Sequence, residues 1–278
     1  MTTTFTTRLD APDASTSALL RTILVSVPTR FRLTNEPRAD VVLMSGVQAD
    51  WTRRLDAAIA AGMRGILVVR PGWADGTELR HLSGRAAATH TVVGVDFGFA
   101  SGRSWKTALP QIKADAPTAT LLDSVLTFDS VPWVTALVEQ LATVRGILPA
   151  LEPLEVAHLS DDQYVVSGQA AHVAVALAGL RSPLSEYALN LNLVGLQQRW
   201  RVQMSGDGPA RPSEILRFDS AGAHAQPALY ESPHRAALLD LHTAMSDGTP
   251  CTFTLADLAD CLDMAAAIRS SPKGHVLL

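Results

Sequence analysis

The sequence predicts an α/β protein of two domains, with a parallel sheet in residues 1–118 and a largely antiparallel sheet in residues 119–278. Three observations support this prediction. In the first half, short and wholly apolar segments alternate with helical stretches, which is typical of parallel strands buried on both faces. In the second half, apolar and polar residues alternate one by one, which is typical of antiparallel strands with one solvated face. A length of 278 residues accommodates two domains of ordinary size.

The first domain is predicted to contain strands separated by helices. Asp50 is a suitable N-cap for one helix, and Gly62 is a suitable stop at its carboxyl end. Pro110 falls inside the last helix of this domain, where a proline removes a backbone hydrogen bond. The predicted strands span 5–9, 41–44, 65–69 and 91–95, and the predicted helices span 14–27, 50–62, 76–88 and 104–114.

The second domain is predicted to begin with one strand and one helix and to continue as a series of strands. Pro132 falls in the first turn of that helix, where the N–H that a proline lacks has no partner in any case. Near the carboxyl end, Thr254 and Asp257 form a capping-box pattern at the start of a helix. The predicted strands span 121–128, 173–177, 187–193, 200–204, 214–218 and 275–278, and the predicted helices span 132–147, 234–246 and the segment after Thr254.

Composition excludes several classes of protein. The net charge is −4 and no long Lys/Arg cluster occurs, so neither a nucleic acid nor a membrane is expected as a partner. The first residues contain neither a basic nor an apolar signal-like segment, and no apolar run is long enough to span a bilayer, so a cytoplasmic location is expected. Cys251 and Cys261 are predicted to be buried free thiols.

Polar side chains on the predicted antiparallel sheet indicate a possible contact surface. Its mixed face suits a subunit interface, through which the chain would form a homo-oligomer, or a solvated surface. The residues of this face are His172, Asn190, Asn192, Arg199 and Arg201. The spacing of His172, His234 and His242 does not suggest a metal site, and no metal is expected.

Two parts of the chain resemble the Gfo/Idh/MocA family, which includes glucose–fructose oxidoreductase and inositol dehydrogenase. The family pattern D-a-V-x-I-x-T-P, a helix, A-x-x-x-G and V-l-x-E-K-P is matched by Asp40, Val42, Leu43, Ala58, Gly62, Leu67 and Pro71. The second match covers 239–248, Pro250, 255–268, Ser270 and 274–277, which are similar to the last two helices and last strand of the family. The resemblance implies a Rossmann-like first domain that binds NAD(P), and a second domain for substrate binding and oligomerisation.

The chain departs from the family where the cofactor would bind. The family opens with a strand and a G-x-G-x-x-G loop, whose glycines let the backbone approach a pyrophosphate at a helix N-terminus. Residues 1–40 contain no glycine, and they are too few for the usual strand–helix–strand–helix opening. Gly206-Asp207-Gly208 lies between antiparallel strands and is predicted to be a hairpin turn. Ser45, Gly46 and Arg70 remain as candidates for contacts with a cofactor.

The chain also departs from the family at the two positions implied in proton transfer. Arg70 replaces the lysine of E-K-P, and Asp129 and Trp133 align with the aspartate and histidine of D-x-G-x-H. Arginine stays protonated and tryptophan has no basic nitrogen, so neither shuttles a proton. Arg70 has two open interpretations, an anion or sugar contact and a surface salt bridge. Asp129 and Trp133 could line a cleft, or they could be a capping residue and a core residue.

These departures favour a protein with degenerate motifs that carries out no redox reaction. It would bind a sugar-like ligand or act as the partner subunit of an active relative, and no cofactor would be needed. The alternative is an active NAD(P)-dependent oxidoreductase with an unusual site, acting on a sugar, cyclitol or related polyol. Fold alone does not decide between the two.

Overall fold

The computed structural model of the chain describes residues 3–11, 14–36, 38–129, 131–151, 154–184, 186–206 and 211–271. The strands are β1 (Phe5–Asp10), β2 (Phe31–Leu33), β3 (Val41–Ser45), β4 (Gly65–Val69), β5 (Val92–Asp96), β6 (Ala119–Phe128), β7 (Glu155–Leu159), β8 (Gln163–Ala170), β9 (Val173–Arg181), β10 (Ala188–Gly195), β11 (Arg199–Ser205), β12 (Glu214–Asp219) and β13 (Gly222–Ala225). The helices are α1 (Ala14–Val25), α2 (Trp51–Ala60), α3 (Gly76–Ala88), α4 (Arg103–Asp115), α5 (Trp133–Ile147), α6 (Pro233–Asp247) and α7 (Leu255–Ser270).

The chain divides into two compact units, and each is built from two stretches of sequence. The first unit combines Met1–Ser101 with Pro233–Leu262, and the second combines Gly102–Ser232 with Asp263–Leu278. The sequence predicted a single boundary at residue 118. Helix α6 makes the difference, because it packs on β4 and β5 of the first unit, although its sequence lies far beyond that boundary.

The first unit contains a five-stranded parallel sheet with the order β2-β1-β3-β4-β5. Every residue of β3 and β4 is buried, as their apolar sequences predict for central parallel strands. The short strand β2 was not predicted, since three residues are too few to show a pattern. The chain passes from β2 to β3 through described residues 34–36 and 38–40, which are not helical. The opening is therefore one helix shorter than the usual arrangement, as the small number of residues suggested.

Helices α1 and α6 pack together against this sheet, while α2 contacts β3 and α3 contacts β5. The core beside α1 and α6 contains Phe5, Leu20, Ile23, Leu24, Phe31, Val41, Leu43, Leu67, Val69, Leu238 and Leu241. His242 of α6 is part of this packing, because its ring meets Phe5 and Phe31 edge-on and its Nε2 lies 2.8 Å from the Thr3 carbonyl oxygen. A buried histidine thus fixes α6 to the first strand.

The second unit contains an eight-stranded sheet with the order β13-β12-β11-β10-β6-β9-β8-β7. Its pairs are antiparallel except β6 with β9, which is parallel. Burial alternates along the strands as the sequence predicts, and α5 lies on the buried face in contact with β6 and β9. Gln140 of α5 donates to the Ser124 carbonyl oxygen at 3.1 Å and accepts from the Tyr164 hydroxyl at 2.8 Å. Burial, and then the charge of Glu139, raise the pKa of Tyr164 well above its usual value, which keeps that donor protonated.

Local details correct several predictions. Asp50 precedes α2, but its side chain makes no capping hydrogen bond there. Pro132 is the N-cap of α5 instead of lying in its first turn. The capping box at Thr254 is confirmed, because Thr254 N–H donates to the Asp257 carboxylate at 2.8 Å and Asp257 N–H points back to the threonine hydroxyl at 3.4 Å. The predicted strand at 275–278, and Asp207 and Gly208 of the predicted hairpin turn, lie outside the described residues.

In the described part of the chain, no helix is both long and apolar enough to cross a bilayer. Cys251 and Cys261 are buried free thiols, as predicted. Among those same residues, no cluster of histidine, cysteine and acidic side chains has the arrangement of a metal site.

Candidate functional site at the carboxyl edge of the parallel sheet

The direction of the chain through the sheet reverses between β1 and β3, because β2 lies on one side of β1 and β3 on the other. In open α/β sheets, a crevice for ligands forms at such a point, outside the carboxyl ends of the strands. Asp10 is the last residue of β1 and Ser45 is the last residue of β3. The side chains around these two residues therefore define the candidate site.

Arg54 of α2 connects these two strand ends. Its guanidinium donates to the Asp10 carboxylate at 2.8 Å, to the Ser45 carbonyl oxygen at 2.9 Å and to the Asp50 carboxylate at 3.1 Å. Only 17% of the arginine side chain is exposed. We call this set of four residues the Arg54 bridge. Each of the three guanidinium nitrogens donates to one of these acceptors, so the bridge is an internal hydrogen-bond network across the crevice.

The bridge explains why Asp50 does not cap α2. Its carboxylate faces Arg53 at 2.8 Å and Arg54 at 3.1 Å instead of the helix N–H groups. Desolvation acts to raise the pKa of Asp50, but the hydrogen bonds and charges of Arg53 and Arg54 outweigh it and lower the pKa. The carboxylate is therefore ionised at neutral pH and contributes to the pairing.

Gly46, a candidate for cofactor contact, has a packing role. Its N–H donates to the Val69 carbonyl oxygen at 2.8 Å, and its own carbonyl oxygen accepts from Gly72 N–H at 2.8 Å. A Cβ at Gly46 would lie 2.6 Å from Pro71 Cα, so the loops after β3 and β4 touch backbone to backbone. The N–H that a phosphate would need is already used within the chain.

Ser45 and Arg70, the other two candidates, line one small cavity of about 50 Å³ together with Thr16 and Leu20. Ser45 is buried, and its hydroxyl lies 3.4 Å from Val47 N–H. Arg70 follows β4 with a φ of 52°, in the left-handed region that a side chain with a Cβ rarely adopts. The structure places Ser45, Gly46 and Arg70 at the same edge of the sheet, at the end of β3 and directly after β3 and β4.

Trp73 is a further residue of this edge that the sequence analysis missed. It is partly exposed, and its carbonyl oxygen accepts from the Trp51 indole N–H at 3.3 Å, which fixes the loop after Arg70. The signal for it was the run Arg70-Pro71-Gly72-Trp73 directly after a buried strand. A cationic side chain and an aromatic ring three residues apart suit a polar ligand with an apolar face.

Asp129 and Trp133 belong to the second unit, in the segment that joins β6 to α5. Asp129 is exposed, and its carbonyl oxygen accepts from the Arg181 guanidinium at 2.7 Å. Since Pro132 is the N-cap of α5, Asp129 does not cap that helix. Trp133 is the first residue of α5 and is only partly buried, so it is not a core tryptophan. The side chain of Asp129 is therefore exposed and that of Trp133 is partly exposed.

The histidines have structural positions. His172 is exposed in the turn between β8 and β9. His234, near the start of α6, places Nδ1 2.6 Å from the carboxylate of Asp96, which also accepts from Gly98 N–H at 3.0 Å. Asp96 ends β5, so this buried pair fixes the beginning of α6 to the carboxyl edge. Sequence reasoning did not find the pair, because 138 residues separate its members.

Solved structures with the same fold are dehydrogenases and oxidoreductases. The chain superposes on UDP-N-acetylglucosamine 3-dehydrogenase GnnA from Acidithiobacillus ferrooxidans with a TM-score of 0.78, 12% identity and 98% of each chain covered. An NAD binding oxidoreductase from Klebsiella pneumoniae gives a TM-score of 0.75 at 13% identity, with 97% of each chain covered. The dehydrogenase MviM from Clostridium difficile gives 0.70 at 8% identity, with 96% of this chain and all of that chain covered. The sequence matches no protein-family model and no curated protein.

These similarities confirm the predicted fold class, a Rossmann-like parallel unit with a mostly antiparallel sheet, over the length of the chain. They support the resemblance to Gfo/Idh/MocA dehydrogenases at the level of fold. Identities of 8–13% carry no information on substrate or activity.

Proposed function

We propose that this chain is a non-redox protein with an oxidoreductase fold, which binds a sugar-like ligand or serves as the partner subunit of an active relative. The observation that carries the proposal is the Arg54 bridge. A dinucleotide would place its pyrophosphate at the carboxyl ends of the central strands. At that position the chain instead has Asp10, held by Arg54 at 2.8 Å.

The residues present do not fit the pyrophosphate of NAD(P). A pyrophosphate needs free backbone N–H groups, close approach through glycines and a positive potential. The connection between β1 and α1 reads Asp10-Ala11-Pro12-Asp13, so it contains two acidic residues, a proline and no glycine. Aspartates supply no positive potential for an anion, and a proline contributes no N–H.

The altered residues at the chemistry end support the same conclusion. Arg70 and Trp133 stand where the family has a lysine and a histidine, and neither a guanidinium nor an indole accepts a proton. Arg70 and Trp73 can still bind, because a guanidinium donates to hydroxyl or carboxylate oxygens and an indole packs against the apolar face of a sugar ring. We therefore assign ligand binding, and not proton transfer, to the edge after β4.

The alternative is an active NAD(P)-dependent oxidoreductase acting on a sugar, cyclitol or related polyol. The observation in its favour is the similarity of the whole chain to a structure described as an NAD binding oxidoreductase. It requires the nucleotide to bind without the glycine loop. If it holds, Arg70→Ala should strongly lower turnover, and unchanged turnover would remove Arg70 from the mechanism.

Thermal melting in the presence of NADH and NADPH separates the two functions. A ligand that binds only the folded chain raises the melting temperature according to its concentration and affinity. We expect no shift with either nucleotide at about 1 mM, a concentration that would add about 4 kcal/mol for a micromolar ligand. A shift that corresponds to micromolar binding would refute the non-redox function.

We propose in addition that two copies associate through the open face of the eight-stranded sheet. This face is more apolar than the sequence indicated. It carries an alanine stripe on β9 (Ala174, Ala176 and Ala178) beside partly exposed Leu121, Val125, Val165 and Leu180. Of the predicted polar residues, Asn192 accepts from Arg199 at 2.7 Å and donates to Asp123 at 2.9 Å, and Arg201 pairs with Glu214 at 3.3 Å, so those charges are matched within the face.

The occupant that fits this face is a second copy of the chain. Seven spacings of about 4.8 Å between the eight strands make a surface about 34 Å wide, large enough for the roughly 800 Å² that each partner of a stable complex buries. Small alanines in the centre let a second sheet approach to the usual distance of about 10 Å. Sedimentation velocity should show a dimer, and Val125→Arg should dissociate it. Val25→Arg replaces a 64% exposed valine of α1 and should have no effect. A monomeric wild type would refute the dimer.

A further inference from the structure

A cavity in the first unit lies at the opposite end of the parallel sheet from the Arg54 bridge. Its volume is about 510 Å³, within the range of about 300–1,000 Å³ that small-molecule sites occupy. It is bounded by the last turns of α3, the start of β5, the segment 248–251 after α6 and the start of α7. We call it the amino-edge cleft.

The described residues that line the amino-edge cleft include no aspartate, glutamate, lysine or arginine. Apolar surface comes from Ala86, Val92, Val93, Pro250 and Leu255. Hydroxyl groups come from Ser83, Thr249 and others, and the one imidazole comes from His90. The lining is therefore suited to a part-apolar molecule that forms a few hydrogen bonds.

The helix ends that border the amino-edge cleft determine which ligand charge it favours. The carboxyl ends of α3 and α6 both border it, and each helix end carries a partial negative charge of about half an electron. The basic residue of the last turn of α3, Arg85, is paired with Asp56, and the last turn of α6 contains no basic residue. The positive amino end of α7 is capped by the Asp257 carboxylate through Thr254 N–H. Two helix carboxyl ends and a lining without charged side chains therefore favour a positively charged ligand over an anion.

His90 provides an independent observation. It ends α3 with a φ of 56°, while Thr91 N–H donates to the Ala86 carbonyl oxygen at 2.9 Å and His90 N–H to that of Ala87 at 3.2 Å. Helix α2 ends with the same pair of hydrogen bonds, but there the left-handed residue is Gly62, with a φ of 73°. Glycine is the residue that this motif favours. The chain places an imidazole in a glycine position at the mouth of the cleft, at a conformational cost that glycine would avoid.

From these observations we infer that the amino-edge cleft binds a small organic cation with an apolar body, such as an arylalkylammonium group. The apolar lining would cover the ring, and the carboxyl ends of α3 and α6 would surround the ammonium group. This site is separate from the carboxyl edge that the proposed function uses, so a test of one proposal does not decide the other.

The test uses three probes with the same ring and different charge: 2-phenylethylammonium, 2-phenylethanol and 3-phenylpropionate. Backbone ¹⁵N–¹H spectra of the whole chain are recorded while each probe is titrated to about 10 mM, a range that fragments of this size reach. We expect the amides of Val92, Val93 and Cys251 to shift with the ammonium probe. Its affinity should exceed that of the carboxylate by about tenfold, with the alcohol between them.

Matched variants locate the site. Ala87→Trp places a large ring in the cleft from an exposed position and should abolish the shifts, whereas Ala88→Trp changes the neighbouring exposed residue outside the lining and should leave them. His90→Gly keeps the helix end and should weaken binding of the ammonium probe several-fold. The inference is wrong if the ammonium probe causes no shifts, if the carboxylate binds as well, or if Ala87→Trp binds like the wild type.

Discussion

The carboxyl and amino edges of the parallel sheet differ in the charged side chains that line them and in the size of the cavity beside them. At the carboxyl edge, the carboxylates of Asp10 and Asp50 both accept from Arg54 at 2.8–3.1 Å, and the cavity beside Arg70 measures about 50 Å³. At the amino edge, the lining has no charged side chain among its described residues, and the cleft measures about 510 Å³. Related folds bind their ligands at the carboxyl edge.

This difference shows how the ends of neighbouring parallel strands can be joined within the chain. An arginine from α2 donates to the Asp10 carboxylate at the end of β1 and to the Ser45 carbonyl oxygen at the end of β3. Polar groups of the carboxyl edge are thereby paired internally, while the amino edge has the larger of the two cavities.

The largest effect is expected for Arg54→Ala. Removal of the guanidinium leaves the Asp10 carboxylate and the Ser45 carbonyl oxygen without this donor, and we expect a loss of about 2–3 kcal/mol in the free energy of unfolding. Arg53→Ala is the control, because Arg53 is 79% exposed and its ion pair is with Asp50, which is itself 42% exposed. Its loss should stay below about 0.5 kcal/mol. Urea denaturation measures both, and equal losses would mean that the bridge does not hold the edge together.

Gly46→Ala tests whether the loop after β3 is a packing contact. A Cβ there lies 2.6 Å from Pro71 Cα, so we expect a loss of about 1–3 kcal/mol from overpacking. A Cβ at Gly84 in α3 would have no heavy atom within 4 Å, so Gly84→Ala should raise the free energy of unfolding by about 0.5–1 kcal/mol through helix propensity. Thermal or urea unfolding compares the two. A neutral Gly46→Ala would show that the two loops can separate.

The carboxyl ends of α3 and α2 form the same pair of hydrogen bonds, and one substitution at each is expected to change stability in opposite directions. His90→Gly relieves a left-handed φ of 56° and should stabilise the chain by about 0.5–1 kcal/mol. Gly62→Ala introduces a Cβ at a φ of 73° and should destabilise it by about 1 kcal/mol. Unfolding free energies measured for both variants test these two expectations. Destabilisation by His90→Gly would show that the imidazole contributes to folding, and not to the cleft.

The smallest effect concerns pH. Asp40 precedes β3, and its carboxylate accepts from Thr6 N–H at 2.9 Å and from the Thr6 hydroxyl at 2.7 Å. Desolvation acts to raise the pKa of Asp40, but these hydrogen bonds and Arg64 outweigh it and lower the pKa. The stabilisation is therefore complete above the ordinary aspartate pKa and disappears as the pH falls through the lowered value. The stability difference between wild type and Asp40→Asn should shrink in that acidic range, and a difference independent of pH would contradict this.

Local patterns predicted much of the fold. The apolar runs of β3 and β4 and the alternation along β9 and β10 fixed which segments are strands, and the Thr254–Asp257 pair fixed where α7 begins. Contacts between distant segments could not be predicted in this way. Helix α6 returns to the first unit, and the parallel pairing of β6 with β9 depends on the order of strands in space.

The candidate site was predicted only in part for the same reason. The positions of Ser45, Gly46 and Arg70 follow from the strands that precede them. The Arg54 bridge joins residues 10, 45 and 54 through tertiary packing, and no short motif reports it. The missing glycine loop was visible in the sequence, but the group that fills its place was not.

The most direct test of the central proposal is calorimetric titration of NADH and NADPH into the wild-type chain. We predict no binding heat for either nucleotide up to about 1 mM, because the crevice is closed by Arg54 and lined by Asp10. Arg54→Ala should not create binding, since the acidic, glycine-free connection after β1 remains. Saturable binding of either nucleotide to the wild type at micromolar concentration would contradict the proposal and make the chain an NAD(P)-binding oxidoreductase.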